Sequence, residues 1–210
     1  MRINSMDYLE EINQYNVRHS LPSPAKTALL LIDMQRYFEG VARPILKNVI
    51  ALLDACRSAG MRVVFTRHGH RDPTMDGGML GRWWGDLIAY GTKEWELVKE
   101  LSPKPDELII DKTRYSAFHG TNLDEWLHTN GLEELIITGV LTNCCCETTA
   151  RDAFVRDYRV FFVADGTATV NDELHLASLK NLAFGFAHVV DAKSLCVWAM
   201  SPSRQSGNHR

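Results

Sequence analysis

From residue 27 onward the chain alternates between short, almost wholly apolar runs and longer stretches whose apolar residues recur at helical spacing. The runs 27–33 (TALLLID), 61–66 (MRVVFT), 107–111 (ELIID), 134–140 (ELIITGV), 158–164 (YRVFFVA) and 187–191 (AHVVD) read as strands. Their apolar character is nearly continuous, as expected of strands buried on both faces. Between them, 43–59 places Ile45, Val49, Leu52, Leu53 and Cys56 on one helical face, and 122–130 does the same with Leu123, Trp126 and Leu127. A third helix over 172–183 aligns Leu176, Leu179 and Leu182. Gly60 and Gly131 stand where helices end before the next strand, a position that favours a residue able to take positive φ. The pattern predicts a three-layer α/β/α sandwich around a parallel sheet of about six strands.

Two regions depart from this rhythm. Residues 69–91 are rich in Gly, Asp, Arg and Trp without a clean period, and a long irregular segment inside a compact domain usually serves function. Residues 1–26 read as an N-terminal arm with a short helix over 8–15 and an LPSPAK linker. The single domain is then 27–201, followed by a disordered tail over 202–210.

Composition narrows the function classes. In 210 residues, 45% are hydrophobic and 23% charged, ordinary values for a globular domain. A net charge of -3 gives no electrostatic reason to expect nucleic acid or anionic membrane as a partner. No apolar run approaches the roughly 18 residues of a membrane span. The first residues carry acids and amides where a secretory signal would be basic and then apolar, so the expected location is cytoplasmic. The five cysteines, three of them adjacent (Cys144, Cys145, Cys146), form neither a disulfide framework nor paired zinc-ligand spacings.

In an open parallel sheet, ligands bind beyond the carboxyl ends of the strands. The residues there are Asp33, Arg67 and His68, Lys112, 142–146, Asp165 and Asp191. An acid, a lysine and a cysteine on separate strand ends can converge on one pocket and support nucleophilic catalysis. The thiol attacks as thiolate, the acid takes and returns a proton, and the ammonium favours both anions. Helical geometry alone leaves open which of Cys144, Cys145 and Cys146 faces the pocket.

Three segments carry a resemblance that closes this choice: LLLIDMQRYF (29–38), KTRYSAFHGTNLDEWL from Lys112, and GVLTNCCCETTARDAF (139–154). In this order the chain resembles the isochorismatase-like cysteine hydrolases. The resemblance implies strand order 3-2-1-4-5-6, a catalytic set of Asp33, Lys112 and Cys145, and an oxyanion hole formed by the backbone N–H groups of Leu141 and Cys145. It also implies a non-proline cis peptide at Val140–Leu141. Cys144 and Cys146 fall to packing. Phe38, Trp84, Tyr115, Phe118 and His68 are the expected substrate contacts, and one of Trp83 and Trp84 a subunit contact. His119 is placed near the pocket mouth and His175 on a helix surface or interface.

Nicotinamidases of the metal-containing branch carry further histidines after the second strand. Here His68 and His70 are the candidate ligands, with Asp72 and Asp76 the only close oxygens, while a catalytic metal usually wants three protein ligands. No cofactor is therefore expected. The activity implied is hydrolysis of a non-peptide C–N bond, amide or ureido, in a small planar substrate through a thioester. The alternative is a vinyl-ether hydrolase of the isochorismatase kind, using Asp33 as acid. That branch has glycine at the position of Cys145, and the cysteine favours acyl chemistry. The partner is a small molecule, and the resemblance implies a homodimer or homotetramer.

Overall fold

The computed structural model describes residues 5–201. In chain order the elements are α1 (Ser5–Glu11), β1 (Thr27–Ile32), α2 (Glu39–Ala42), α3 (Leu46–Ser58), β2 (Arg62–His68), α4 (Pro73–Asp76), α5 (Gly78–Trp84) and β3 (Leu108–Lys112). They continue with α6 (Leu123–Thr129), β4 (Glu134–Val140), α7 (Glu147–Phe154), β5 (Arg159–Ala168), α8 (Asp172–Gly185), β6 (His188–Val190) and α9 (Ala192–Ala199). All six strands are parallel, in the order β3-β2-β1-β4-β5-β6.

Period-two side-chain alternation divides the strands between two cores. Ala28, Leu30, Ile32, Leu135, Ile137 and Phe162 face α6, α7 and α8. Leu29, Leu31, Phe65, Ile136 and Phe161 face α3 and α9. Each such fully buried Leu, Ile or Phe side chain contributes about 1.5–3 kcal/mol. Gly60 and Gly131 have φ of 71° and 65°, ending α3 and α6.

Three expectations change. The arm helix is Ser5–Glu11 rather than 8–15. The Asn16 side chain exchanges hydrogen bonds with Val189 (2.7 and 3.2 Å), so the arm covers the open edge at β6. The segment 69–91 contains α4 and α5, helices too short and glycine-rich to show a period. β5 runs to Ala168 because the β4–β5 register shifts between Ile137 and Gly139, letting Thr167 and Ala168 pair again. The tail predicted over 202–210 lies outside the described residues. No described helix is long and apolar enough to cross a membrane.

Candidate active site

The chain runs outward from β1 through β2 to β3 and then crosses back to β4 on the other side of β1, which opens a crevice at the carboxyl ends of the central strands, where three predicted residues meet. Asp33 follows β1 with φ of 47°, a left-handed conformation that aspartate tolerates better than most residues. Thr66 on β2 holds it: the Asp33 N–H donates to the threonine oxygen (3.0 Å), and that hydroxyl donates to Asp33 Oδ1 (2.6 Å). Lys112, the last residue of β3, reaches across β2 to place Nζ 2.7 Å from Asp33 Oδ2, with neither side chain exposed. The same ammonium donates to the Arg114 carbonyl (3.0 Å). Burial works against its charge, yet Asp33 beside it holds its pKa above the ordinary ammonium value.

β4 delivers the thiol. The Val140–Leu141 peptide is cis, and 142–146 form one π-helical turn leading into α7. Cys145 is buried at the turn, close enough to interact with both Lys112 and Asp33. Cys144 faces the cavity and Cys146 is sealed in the core. The N–H groups of Cys144 and Cys146 both donate to the Leu141 carbonyl (3.1 and 3.2 Å), which closes the turn around Leu141 and Cys145. The electrostatics of the turn favour the protonated thiol over the thiolate. Burial pushes its pKa well up, Lys112 only partly opposes this, and the Asp33 carboxylate adds to it.

The cavity in front of Cys145 measures about 620 Å³. Its walls include Phe38, His68, Trp84 and Tyr115, as expected, together with Tyr37 and Asp86, which sequence reasoning missed. Trp84 donates through Nε1 to the Tyr115 hydroxyl (2.8 Å), and the Tyr37 hydroxyl donates to Asp86 (2.8 Å). Both bonds tie the α5 region to the body over the cavity. Burial, followed by the nearby Lys112 charge, lowers the His68 pKa to about 4, so its imidazole is neutral at pH 7. Trp83 is not among the lining residues and is 76% exposed.

Phe118 is a correction. It is buried, stacks on Tyr158 with ring centroids 5.8 Å apart, and belongs to the core beneath α6. The segment turns inward after Tyr115: Ser116 donates to Asp152 and the Ala117 N–H to Thr149. His119 is exposed. His175 is a second correction, being a buried residue whose Nδ1 lies 2.8 Å from the Thr142 hydroxyl. It occupies the 175/178/179/182/183 stripe that α8 turns inward, a spacing visible in the sequence. Arg67, Asp165 and Asp191 do not join the site. Arg67 pairs with Asp111, Asp165 accepts from Asn48 and the Ala192 N–H, and Asp191 caps α9.

His70 places Nδ1 3.0 Å from Asp76 and packs its ring against His68. Among the described residues no group of three or more His, Cys, Asp or Glu side chains is arranged to hold a metal ion.

This fold and crevice define a class, and the comparisons place the chain within it. Residues 27–194 match the isochorismatase domain, and the chain belongs to that family. Nicotinamidase 3 from Arabidopsis thaliana is 50% identical over 186 residues, covering 87% of this chain and 93% of its own length. Enterobactin synthase component B from Escherichia coli is 35% identical over 82% of this chain, which spans 63% of that longer protein. A solved cysteine hydrolase from Pseudomonas syringae pv. phaseolicola matches with a TM-score of 0.82 at 28% identity, over 86% of this chain and 95% of its own.

Proposed function

We propose that this protein hydrolyses the carboxamide of a small planar amide, with nicotinamide as the reference substrate, through a thioester on Cys145. It is a cysteine hydrolase of the nicotinamidase type, and the identity to nicotinamidase 3 over nearly the full length of both chains supports the choice of substrate. The observation that carries the mechanism is the buried convergence of Asp33, Lys112 and Cys145 at one end of the cavity.

In the resting site the thiol is protonated and Asp33 is paired with Lys112. When the carbonyl carbon approaches, Asp33 takes the thiol proton as the sulfur attacks, and Lys112 stabilises the charge that passes between them. Negative charge developing on the carbonyl oxygen is met by the N–H groups of Leu141 and Cys145, donors of a kind whose individual loss typically costs about 10²–10³ in rate. Asp33 returns the proton to the departing ammonia, then activates water to release the acid and restore the thiol.

The vinyl-ether reading fares worse on the cavity's charge. Isochorismate bears two carboxylates, whereas no Arg or Lys is among the residues lining the cavity, His68 is neutral, and Asp86 adds an acidic rather than a basic side chain. Residues 27–201 act as one catalytic domain with 1–26 as its arm. The protein works in the cytoplasm, where its five free thiols persist, as a homodimer or homotetramer that covers exposed Met75, Met79 and Trp83.

Intact-mass spectrometry with a panel of small amides, beside an ammonia-release assay, tests the proposal. The expected result is ammonia from nicotinamide and an acyl adduct on Cys145. Turnover of isochorismate with no ammonia from any amide would instead assign the vinyl-ether reaction.

A further inference from the structure

The mouth of the cavity has a composition that hydrolysis of a neutral amide does not require. Four aromatic rings, Tyr37, Phe38, Trp84 and Tyr115, stand around it. Tyr37 and Phe38 meet edge to face at 4.9 Å, and Trp84 is locked to Tyr115 by its indole N–H. The one charged side chain lining the cavity is Asp86, exposed at the mouth, whose single partner among the described residues is the Tyr37 hydroxyl. That hydrogen bond heads the causes that raise the phenol's pKa, which keeps Tyr37 a neutral donor to Asp86. His68 adds no positive charge. Four aromatic rings and a carboxyl group lining one cavity, with no Arg or Lys among the lining residues, supply the components with which proteins hold delocalised or quaternary cations.

Depth and size agree with this polarity. Cys145 is 6% exposed at the inner end, whereas Tyr37 and Trp84 are 45% and 56% exposed. The cavity holds about twenty water volumes, room for a ring and a substituent extending toward the mouth. A substrate whose carboxamide reaches Cys145 therefore presents the far side of its ring to the aromatic and acidic rim.

Resting on the amidase reading, we infer that Tyr37, Phe38, Trp84, Tyr115 and Asp86 form a cation-selective cage, and that the preferred substrates are carboxamides of positively charged aromatic rings such as N-alkylpyridinium. Asp86 determines this specificity. The neutral ring is accepted by stacking alone, and an anionic ring is rejected because its charge meets Asp86 with nothing to offset it.

Binding decides this separately from catalysis. Isothermal titration of the Cys145→Ala protein would compare 3-carbamoyl-1-methylpyridinium, nicotinamide and 3-carbamoylbenzoate, three rings of similar shape and different charge. The cation is expected to bind about ten-fold more tightly than nicotinamide, and the anion about ten-fold more weakly. Adding Asp86→Asn should reduce the cation-to-neutral affinity ratio about ten-fold, and Asp86→Lys should reverse the order of cation and anion. Equal affinities for the cation and nicotinamide, no binding of the cation, or a ratio unmoved by Asp86→Asn would each overturn the inference. An ammonia assay on the unsubstituted protein runs alongside. Silence on all three amides would remove amide hydrolysis while leaving the binding order to judge the cage.

Discussion

Lys112 and Asp33 are two charges wholly withdrawn from water and compensated by each other. Removing one partner of such a pair typically costs about 3–5 kcal/mol, because the survivor is left uncompensated. Lys112→Met should lose stability on that scale in urea denaturation, and Asp33→Leu combined with Lys112→Met should recover most of it while remaining inactive. A double variant as unstable as the single one would count against a buried ion pair. Among the cysteines, Cys145→Ala should form no acyl adduct by mass spectrometry, whereas Cys144→Ala and Cys146→Ala should keep most activity. A dead Cys146→Ala that still folds would move the nucleophile by one residue. At this scale the candidate set was legible in the sequence, since strand ends announce themselves through the apolar runs before them. What spacing could not give was the choice among three adjacent thiols, which needed the family resemblance. Phe118 was misread because three residues after Tyr115 the chain has already turned into the core.

The element that carries the thiol is held from one side. Thr169 donates to Asn143 (2.6 Å), His175 meets Thr142 (2.8 Å) and Ser178 donates to Glu147 (2.5 Å), so α8 and the residues before it fasten the π-helical turn and the start of α7. Loosening that attachment should misplace the sulfur without altering the cavity wall. Ser178→Ala and His175→Gln are expected to lower kcat about ten-fold with KM little changed; an equal rise in KM would show that the wall had moved too. Gly139 is the tighter constraint. Its φ is 117°, and a Cβ there would lie 2.0 Å from the Ile32 carbonyl oxygen where β4 passes β1. Gly139→Ala should cost more than about 3 kcal/mol, read as a lowered Tm or loss of soluble protein. Strands and long helices were legible because their periodicity persists over many residues. α4 and α5 were not, since four and seven residues rich in glycine are too few to display a period.

For the molecule as a whole, two buried histidines set its response to acid. His68 and His175 both titrate near 4 in the folded chain, mainly because burial disfavours their charge, against an ordinary value of 6.5. The unfolded chain therefore takes up protons first, so stability is full above about pH 6.5 and falls as pH drops toward 4. Each histidine should account for a loss of about 2 kcal/mol by pH 5. Urea melts at pH 7 and pH 5 would measure the fall, and His175→Gln should make it shallower; an unchanged slope would exclude His175 as a contributor. The overall architecture was the most legible feature, because six apolar runs separated by amphipathic helices admit few topologies. The pairing of Tyr37 with Asp86 at the cavity's rim was the least, because the two residues gather from distant segments that no spacing connects. The protonated thiol at the inner end of that cavity has a consequence for the protein's durability. Peroxide and soft electrophiles react with thiolates, and a sulfur that ionises only as a fitting carbonyl arrives, as the proposed mechanism has it, offers them little to attack. On the proposed mechanism the protein should therefore lose activity only slowly under peroxide between turnovers, and an inhibitor directed at Cys145 is to be selected for its shape before its reactivity.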